Sequence, residues 1–455
     1  MMISASACAH SLGIFGLDGT LSGPFPITES LYEPLFLAVY CQPKNFTSEG
    51  NPIHKPTGNA VFYIMLPLFV LAHFSHHLVS ALLTPLLPFI RDTISFDYTR
   101  AGFLVFAYNI AYGGSQLPGG WLGDRLGFRT LITIGISGVA LAGFLFGFSS
   151  GFSMMVIILL FMGIMGGGYH PSASPLISSI VEKKYRGRAL GIHQVGGTAS
   201  FFLAPLIAVG IARVLGWRGC FFSLSTPTLI YGIVLFLLLG SWGFGTVHHS
   251  ADSGGSSSDE ERGGRTGSLV SVIVLNSLLQ IFVYSSISFI PFFVVDHLGG
   301  SKEAAALLLS LSHSAGLWAG PLGGFLSDRF GRIPILLFTG LIAGPLIILL
   351  GRVSLGLSIS IPLLLIGMTM YMSMPVTEAY VISHAADKNR STFLGIYYFA
   401  SRGGPGLMAP ALGRLIDTSG FPSSFTIAGS LLTAAGVACV AVLLIMELSQ
   451  RRARQ

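Results

Sequence analysis

Gly119-Gly-Trp-Leu-Gly-Asp-Arg-Leu-Gly127 and Gly323-Gly-Phe-Leu-Ser-Asp-Arg-Phe-Gly331 are two versions of one phrase, set 204 positions apart. Each closes a long apolar segment and opens another. A turn repeated in that setting implies two related halves in a lipid bilayer, the usual plan of a carrier. The offset recurs elsewhere. Pro171 and Pro375 are 204 apart, as are Leu190-Gly-Ile192 and Leu394-Gly-Ile396, while Ala204-Pro205 and Ala409-Pro410 differ by 205. A single offset shared by separate regions reads as duplication.

Composition agrees. Hydrophobic residues make up 52% of the chain and charged residues 10%, against about 25% charge in a soluble domain. So few charges cannot cover the surface of a dissolved 455-residue protein. The formal net charge is +6, but the basic residues sit in short loops between apolar runs, without a basic cluster interleaved with aromatics. A nucleic-acid partner is not implied. Cys8, Cys41, Cys220 and Cys439 have no paired spacing, so they predict neither a metal site nor a disulfide framework.

Apolar stretches cover 60–90, 98–119, 127–149, 152–181, 187–213, 219–243, 269–295, 303–326, 333–351, 355–384, 391–416 and 423–447. Each can cross the hydrocarbon core, which takes about 20 helical residues. Helices are required because the chain must satisfy its own backbone groups in lipid. The expected fold is an all-α membrane protein of twelve transmembrane helices in two pseudo-symmetric six-helix bundles, 60–243 and 269–448. Residues 244–268 join them as a linker, polar and Gly/Ser-rich from Ser250 to Arg265. Residues 1–59 read as a disordered or loosely packed tail, or as an extension upstream of a start nearer Met65. Residues 449–455 read as a basic tail.

Charge asymmetry sets orientation. With both termini on one side, that side holds Arg125, Arg129, Lys183, Lys184, Arg186, Arg188, Arg262, Arg265, Arg329, Arg332, Lys388, Arg390, Arg451, Arg452 and Arg454. The other side holds Arg91, Arg100, Arg213, Arg218, Lys302 and Arg352. Positive loops mark the cytoplasmic face, which places both termini and both repeated loops there.

The repeated loop closely resembles the major facilitator superfamily signature G-x-L-[GSA]-D-R-x-G-R-[RK], here Gly120-Trp-Leu-Gly-Asp-Arg-Leu-Gly-Phe-Arg129 and Gly324-Phe-Leu-Ser-Asp-Arg-Phe-Gly-Arg-Ile333. The resemblance implies a switch made of Gly120, Asp124, Arg125, Gly127 and Arg129, with Gly324, Asp328, Arg329, Gly331 and Arg332. Its contacts would lock the outward-facing state and break as the halves rock. A plain topogenic loop with turn glycines is the simpler reading. Phe128 stands where a basic residue is usual, so one contact is missing.

In the first half, His73-Phe-Ser-His-His77, Tyr169-His-Pro171 and Gln194-Val-Gly-Gly197 look like the fosmidomycin-resistance efflux subgroup of that superfamily. That resemblance implies a bacterial inner-membrane location and proton-driven export. His77 and Ser172 occupy positions where the subgroup commonly has acidic residues, which puts its proton route in question.

The residues can also be read without any family. His73, His77, Ser80 and Thr84 recur at helical spacing, so they share a face that should turn to a central cavity rather than to lipid. Histidine exchanges protons near neutral pH; the bland alternative is a set satisfied by neighbouring helices. His73 and His77 are four apart, as metal ligands on a helix can be, but no Cys or carboxylate joins them, and no metal is expected. His170, His193, Gln194, Asn109, Gln116, Gln280 and Tyr284 are further pathway candidates, each equally readable as an interhelical hydrogen bond. Glu378 is the acidic residue well inside a span, and Arg402 lies one turn after Tyr398. A charge in hydrocarbon is costly, so Glu378 is expected either to take a proton or to pair with Arg402, and Arg402 is a candidate anchor for an anion.

No P-loop, nucleophile elbow or HExxH motif is present, and no enzyme or cofactor is expected. The expected activity is alternating-access secondary transport: proton-coupled efflux of small organic or drug-like compounds, or import of a small organic anion. A non-transporting sensor or scaffold is a third possibility. Expected partners are a small-molecule substrate, protons and the lipid bilayer, with a monomer implied by the superfamily.

Overall fold

Proline spacing explains where these helices break. A proline lacks the N–H for residue i−4 and its ring crowds that carbonyl. Pro85, Pro171, Pro291 and Pro321 lie four residues beyond Ala81, Gly167, Ile287 and Leu317, and an interruption follows close on each of those positions. The computed structural model describes residues 64–244, 266–385 and 390–453. The tail at 1–59 and most of the linker lie outside them.

Among the described residues the chain forms twelve helices and no strand. They are α1 (Leu66–Thr93), α2 (Tyr98–Leu126), α3 (Phe128–Phe146), α4 (Phe152–Ile180), α5 (186–215), α6 (217–241), α7 (Leu269–His297), α8 (302–330), α9 (Arg332–Leu350), α10 (Leu357–His384), α11 (390–419) and α12 (421–453). The α5–α6 and α11–α12 pairs run on as 59- and 48-residue stretches, too long for one crossing. Each bends at a glycine, Gly216 with φ 68° and Gly420 with φ 72°. Helix α12 continues to Ala453, so 449–453 are helical rather than a separate tail.

The bends repeat the sequence offset. Gly216 and Gly420 are 204 apart, as are Gly127 (φ 83°) and Gly331 (φ 91°) in the repeated loops. Left-handed backbone is open to glycine at little cost, so the duplicated turns keep it.

The halves meet along α2 and α11. A Cβ on Gly102 would lie 2.4 Å from the Ala409 carbonyl oxygen, and one on Gly113 would lie 2.6 Å from Gly403 Cα. Small residues allow this backbone contact, which gives dispersion contacts where lipid supplies no hydrophobic drive. On the other flank, Thr198 of α5 touches Gly316 of α8.

Charged contacts between the halves gather at the face opposite the repeated loops. Arg91 donates twice to Asp296, both at 2.6 Å, and Tyr98 Oη donates to the same carboxylate at 2.8 Å. Asp417 accepts from the Tyr98 and Thr99 backbone N–H groups at 3.0 and 2.9 Å and from the Thr99 hydroxyl at 2.5 Å. Lys302 pairs with Asp92, and Arg213 with Glu303 at 3.4 Å. Among the described residues, no ion pair or hydrogen bond joins the halves at the repeated-loop face. The structure is therefore latched at one end.

Candidate functional site

One helical turn of α1 supplies three histidines: His73, His76 and His77. Helix α5 comes close because Gly196 and Gly197 face α1. A Cβ on Gly197 would lie 2.5 Å from His73 Nε2, and one on Gly196 would lie 2.1 Å from the Val70 carbonyl oxygen. His193 of α5 and Tyr169 and His170 of α4 complete the group. His73, His76, His77 and His193 are all at most 4% exposed.

The hydrogen bonds order most of these rings. His73 Nδ1 donates to the His193 carbonyl at 3.0 Å, so its Nε2 keeps a lone pair in the neutral ring. His193 Nδ1 donates to the Phe69 carbonyl at 3.0 Å and His76 Nδ1 to that of Gly135 at 2.9 Å. His76 Nε2 lies 3.3 Å from Tyr112 Oη, and the Nε2 atoms of His77 and His170 are 3.2 Å apart. His73 stacks on His193 with centroids 4.4 Å apart, and His76 on Tyr169 at 4.3 Å. Two buried nitrogens, His77 Nδ1 and His193 Nε2, have no partner among the described residues. Buried orphans of this kind cost about 1–3 kcal/mol each.

The second half presents Arg402 to this cluster. It sits in a π-helical turn, Phe399–Gly403, of the sort often found at functional sites. That turn packs against α2, with Gly403 lying on Gly113 beside Tyr112 of the first half. No hydrogen bond or ion pair to its guanidinium is found among the described residues. A half-buried arginine with five free donors is a ready anion site.

The pairing expected between Glu378 and Arg402 is not formed here. Glu378 Oε1 instead accepts a 2.7 Å hydrogen bond from Tyr398 Oη, one turn before Arg402. Other candidates divide between the centre and the scaffold. Asn109 donates its amide to the Val105 carbonyl at 2.8 Å, and Tyr284 lines the small void between the halves. Gln280 donates to the Met370 carbonyl at 3.1 Å, forming a strut between α7 and α10. Gln194 is exposed and apart from the cluster; Gln116 is buried. Sequence reasoning passed over His76 and also His313, whose Nδ1 lies 2.9 Å from Tyr371 Oη. His76 was legible from its i+3 spacing to His73; His313 had no local signal.

The residues expected to form the switch lie where α2 meets α3 and α8 meets α9. Asp124 and Asp328 are exposed, with no ion pair found to either. Arg125 lies over Trp121 at 3.9 Å and Arg329 over Phe330 at 5.6 Å. The second basic position of each loop carries the interhelical contacts. Arg129 Nε donates to the Phe236 carbonyl at 2.8 Å, and Arg332 donates to the Ala379 carbonyl at 3.0 Å and to the Ser383 hydroxyl. Phe128 is buried, its ring 3.0 Å from where a Gly123 Cβ would sit, so an aromatic ring packs where the signature has a basic residue.

Between the halves, a void of about 20 Å³ is lined by Ser80, Thr84, Phe201, Tyr284 and His313, among others. That is room for about one water. A cavity of about 940 Å³ lies along the seam of α1 and α5, lined by Leu66, Val70, Phe74, Ile192, Val195 and Arg188, among others. It belongs to the first half and lies beside the histidine cluster.

A family model described as Major Facilitator Superfamily matches residues 69–271 and 272–455. An uncharacterized MFS-type transporter, YfnC, of Bacillus subtilis is 27% identical over 382 residues, covering 83% of this chain and 92% of the relative. A probable sulfoacetate transporter, SauU, of Cupriavidus necator is 22% identical over 417 residues, covering 85% and 94%. A crystal structure of a POT family transporter with a thioalcohol-conjugated peptide superposes with a TM-score of 0.75 at 12% identity. It covers 86% of this chain and 99% of the other, and at that identity it supports the fold alone.

Proposed function

The chain belongs to the Major Facilitator Superfamily, and on that premise we propose that it is a proton-coupled, alternating-access carrier of small organic anions. Membership makes it a multi-pass membrane transporter. The observation that carries the anionic substrate is Arg402, half-buried, unpaired among the described residues and borne on a π-turn that packs against α2 of the other half. An isolated guanidinium in a membrane interior is costly unless an anion comes to it. The sulfoacetate named for one relative is of this chemical class.

Coupling is assigned to Glu378. In the latched state its carboxyl group is held by Tyr398; once deprotonated it would pair with Arg402, and arrival of a proton or of an anionic substrate would release Arg402 from that pair. His73, His77, His170 and His193 form the first-half wall of the pathway, with Asn109. Tyr284, Tyr398 and Arg402 form the second-half wall. Gln280 supports that wall, and Gln194 follows His193 on the first-half side. The repeated loops act as the switch, locking when the opposite face opens. The protein works as a monomer in a bacterial inner membrane, with both termini cytoplasmic.

A second reading is export of drug-like compounds, the direction implied by the fosmidomycin-resistance resemblance. The cavity between α1 and α5 favours it, being large, mostly apolar and close to the size range of drug pockets. Proteoliposomes under an imposed pH gradient separate the two. Gradient-driven accumulation of small carboxylates or sulfonates is expected. Movement of lipophilic compounds without any anion movement would overturn the anion reading.

A further inference from the structure

His73, His77 and His170 each bring a ring nitrogen to within 4.8 Å of the others. Imidazole nitrogens around a tetrahedral cation of zinc size stand roughly 3.4 Å apart, given metal–nitrogen bonds near 2.05 Å. The Nε2 atoms of His77 and His170 are 3.2 Å apart, close to one edge of that tetrahedron. His73 is oriented as bound histidines commonly are, with Nδ1 donating to a backbone carbonyl and Nε2 left with its lone pair. The unpartnered nitrogens at His77 and His193 indicate that the cluster is not saturated by its own hydrogen bonds.

The sequence gives only two of these ligands, at four-residue spacing, and no metal is expected from it. The fold supplies the third from α4. Three neutral imidazoles favour a borderline cation such as Zn²⁺, Co²⁺ or Ni²⁺ over Mg²⁺ or Ca²⁺, which take oxygen ligands. A bare dication is nevertheless poorly placed here. Arg402 brings positive charge on a turn that packs against α2 at Gly113, beside Tyr112, whose hydroxyl lies 3.3 Å from His76 of the cluster, while Glu378 is held by Tyr398. Uncompensated charge of this kind is expensive away from water. A ligand carboxylate in the open fourth position resolves both problems, because one oxygen can reach the cation while the other faces the guanidinium.

We propose that His73, His77 and His170 coordinate a divalent transition cation carried in complex with a small carboxylate whose free oxygen pairs with Arg402. This rests on the anion-carrier reading and narrows its substrate class to metal chelates.

Purified carrier would be titrated with CoCl₂, alone and with citrate, following the cobalt visible spectrum and bound cobalt by equilibrium dialysis. Cobalt–citrate should bind at least about tenfold more tightly than cobalt alone, and magnesium–citrate should not compete. His77→Gln and His170→Gln should each weaken cobalt–citrate binding by about tenfold or more. Arg402→Gln should abolish the citrate enhancement while leaving the weaker binding of cobalt alone. The wild-type comparison of cobalt with magnesium needs no variant and is untouched by any folding defect. Equal binding of the two chelates, or an unaltered cobalt spectrum, would overturn the cation site. Metal-free citrate binding that depends on Arg402 and survives both histidine changes would remove the cation and leave the anion carrier standing. Failure of Arg402→Gln to alter binding of either anion form would overturn the carrier reading itself.

Discussion

The two halves share a scaffold and differ at the centre. The offset of 204 pairs Gly127 with Gly331, Gly216 with Gly420 and Pro171 with Pro375, the residues that turn or break helices. Applied to the centre, the same offset sets His73 against Ser277, His77 against Ile281, His170 against Met374 and His193 against Tyr397. In the other direction Arg402 corresponds to Thr198, and Glu378 to Ser174. Backbone geometry has been kept while side-chain chemistry has diverged. The first half holds a histidine-rich wall, and the second holds Arg402 and Glu378. A ligand seated between such walls meets neutral donors on one side and a cation on the other, which gives it one orientation.

The most damaging way to break this asymmetry is Arg402→Gln. Losing a charged hydrogen-bonding partner in a desolvated site costs roughly 3–5 kcal/mol, so anion transport should fall by at least about 100-fold. Uptake into proteoliposomes measures it; near-normal uptake would move the anion site elsewhere. Thr198→Arg combined with Arg402→Gln sharpens the comparison, because it transfers the charge to the equivalent position in the other half. Transport should not recover, since the π-turn that presents Arg402 has no counterpart at Thr198.

Glu378→Gln should separate coupling from exchange. Accumulation driven by a pH gradient should be lost while gradient-free exchange of labelled for unlabelled anion persists. If the variant still accumulates substrate in response to pH, Glu378 is not the coupling group.

Asp296→Asn probes the latch. It weakens two hydrogen bonds from Arg91 and one from Tyr98. A loss of about 2 kcal/mol would shift the population between the two faces by roughly thirtyfold. Spin-label distances across the opposite face should lengthen, and an unchanged distribution would show that helix packing alone holds it shut. The smallest effect is expected from Gly197→Ala, whose methyl group meets the His73 ring. Crowding of that kind costs about 1–3 kcal/mol. It should appear as reduced thermal stability together with weaker binding at the histidine cluster, measured in detergent by unfolding and binding together; unchanged stability and binding would show that the ring moves aside freely.

Much of the scaffold was legible in the sequence, because bilayer thickness fixes span length and glycine or proline fixes the breaks. The twelve stretches, the 204 offset and the turns at Gly127 and Gly331 all came from local pattern. The bridges from Arg91 to Asp296 and from Thr99 to Asp417 were not legible, since they join residues 205 and 318 positions apart. For the same reason His170 could not be placed beside His77 by spacing, and Glu378 could not be assigned to Tyr398 over Arg402. Asp124 and Asp328 read as switch residues, and among the described residues no ion pair to either is found.

The most direct measurement is the accessibility of one central residue from each side of sealed vesicles. Thr198→Cys would be introduced with Cys8, Cys41, Cys220 and Cys439 replaced by Ser, then treated with an impermeant thiol reagent. With Asp296 intact, labelling should come chiefly from the repeated-loop face; with Asp296→Asn, it should come from the opposite face as well. Labelling confined to one and the same face in both proteins would contradict alternating access around this centre.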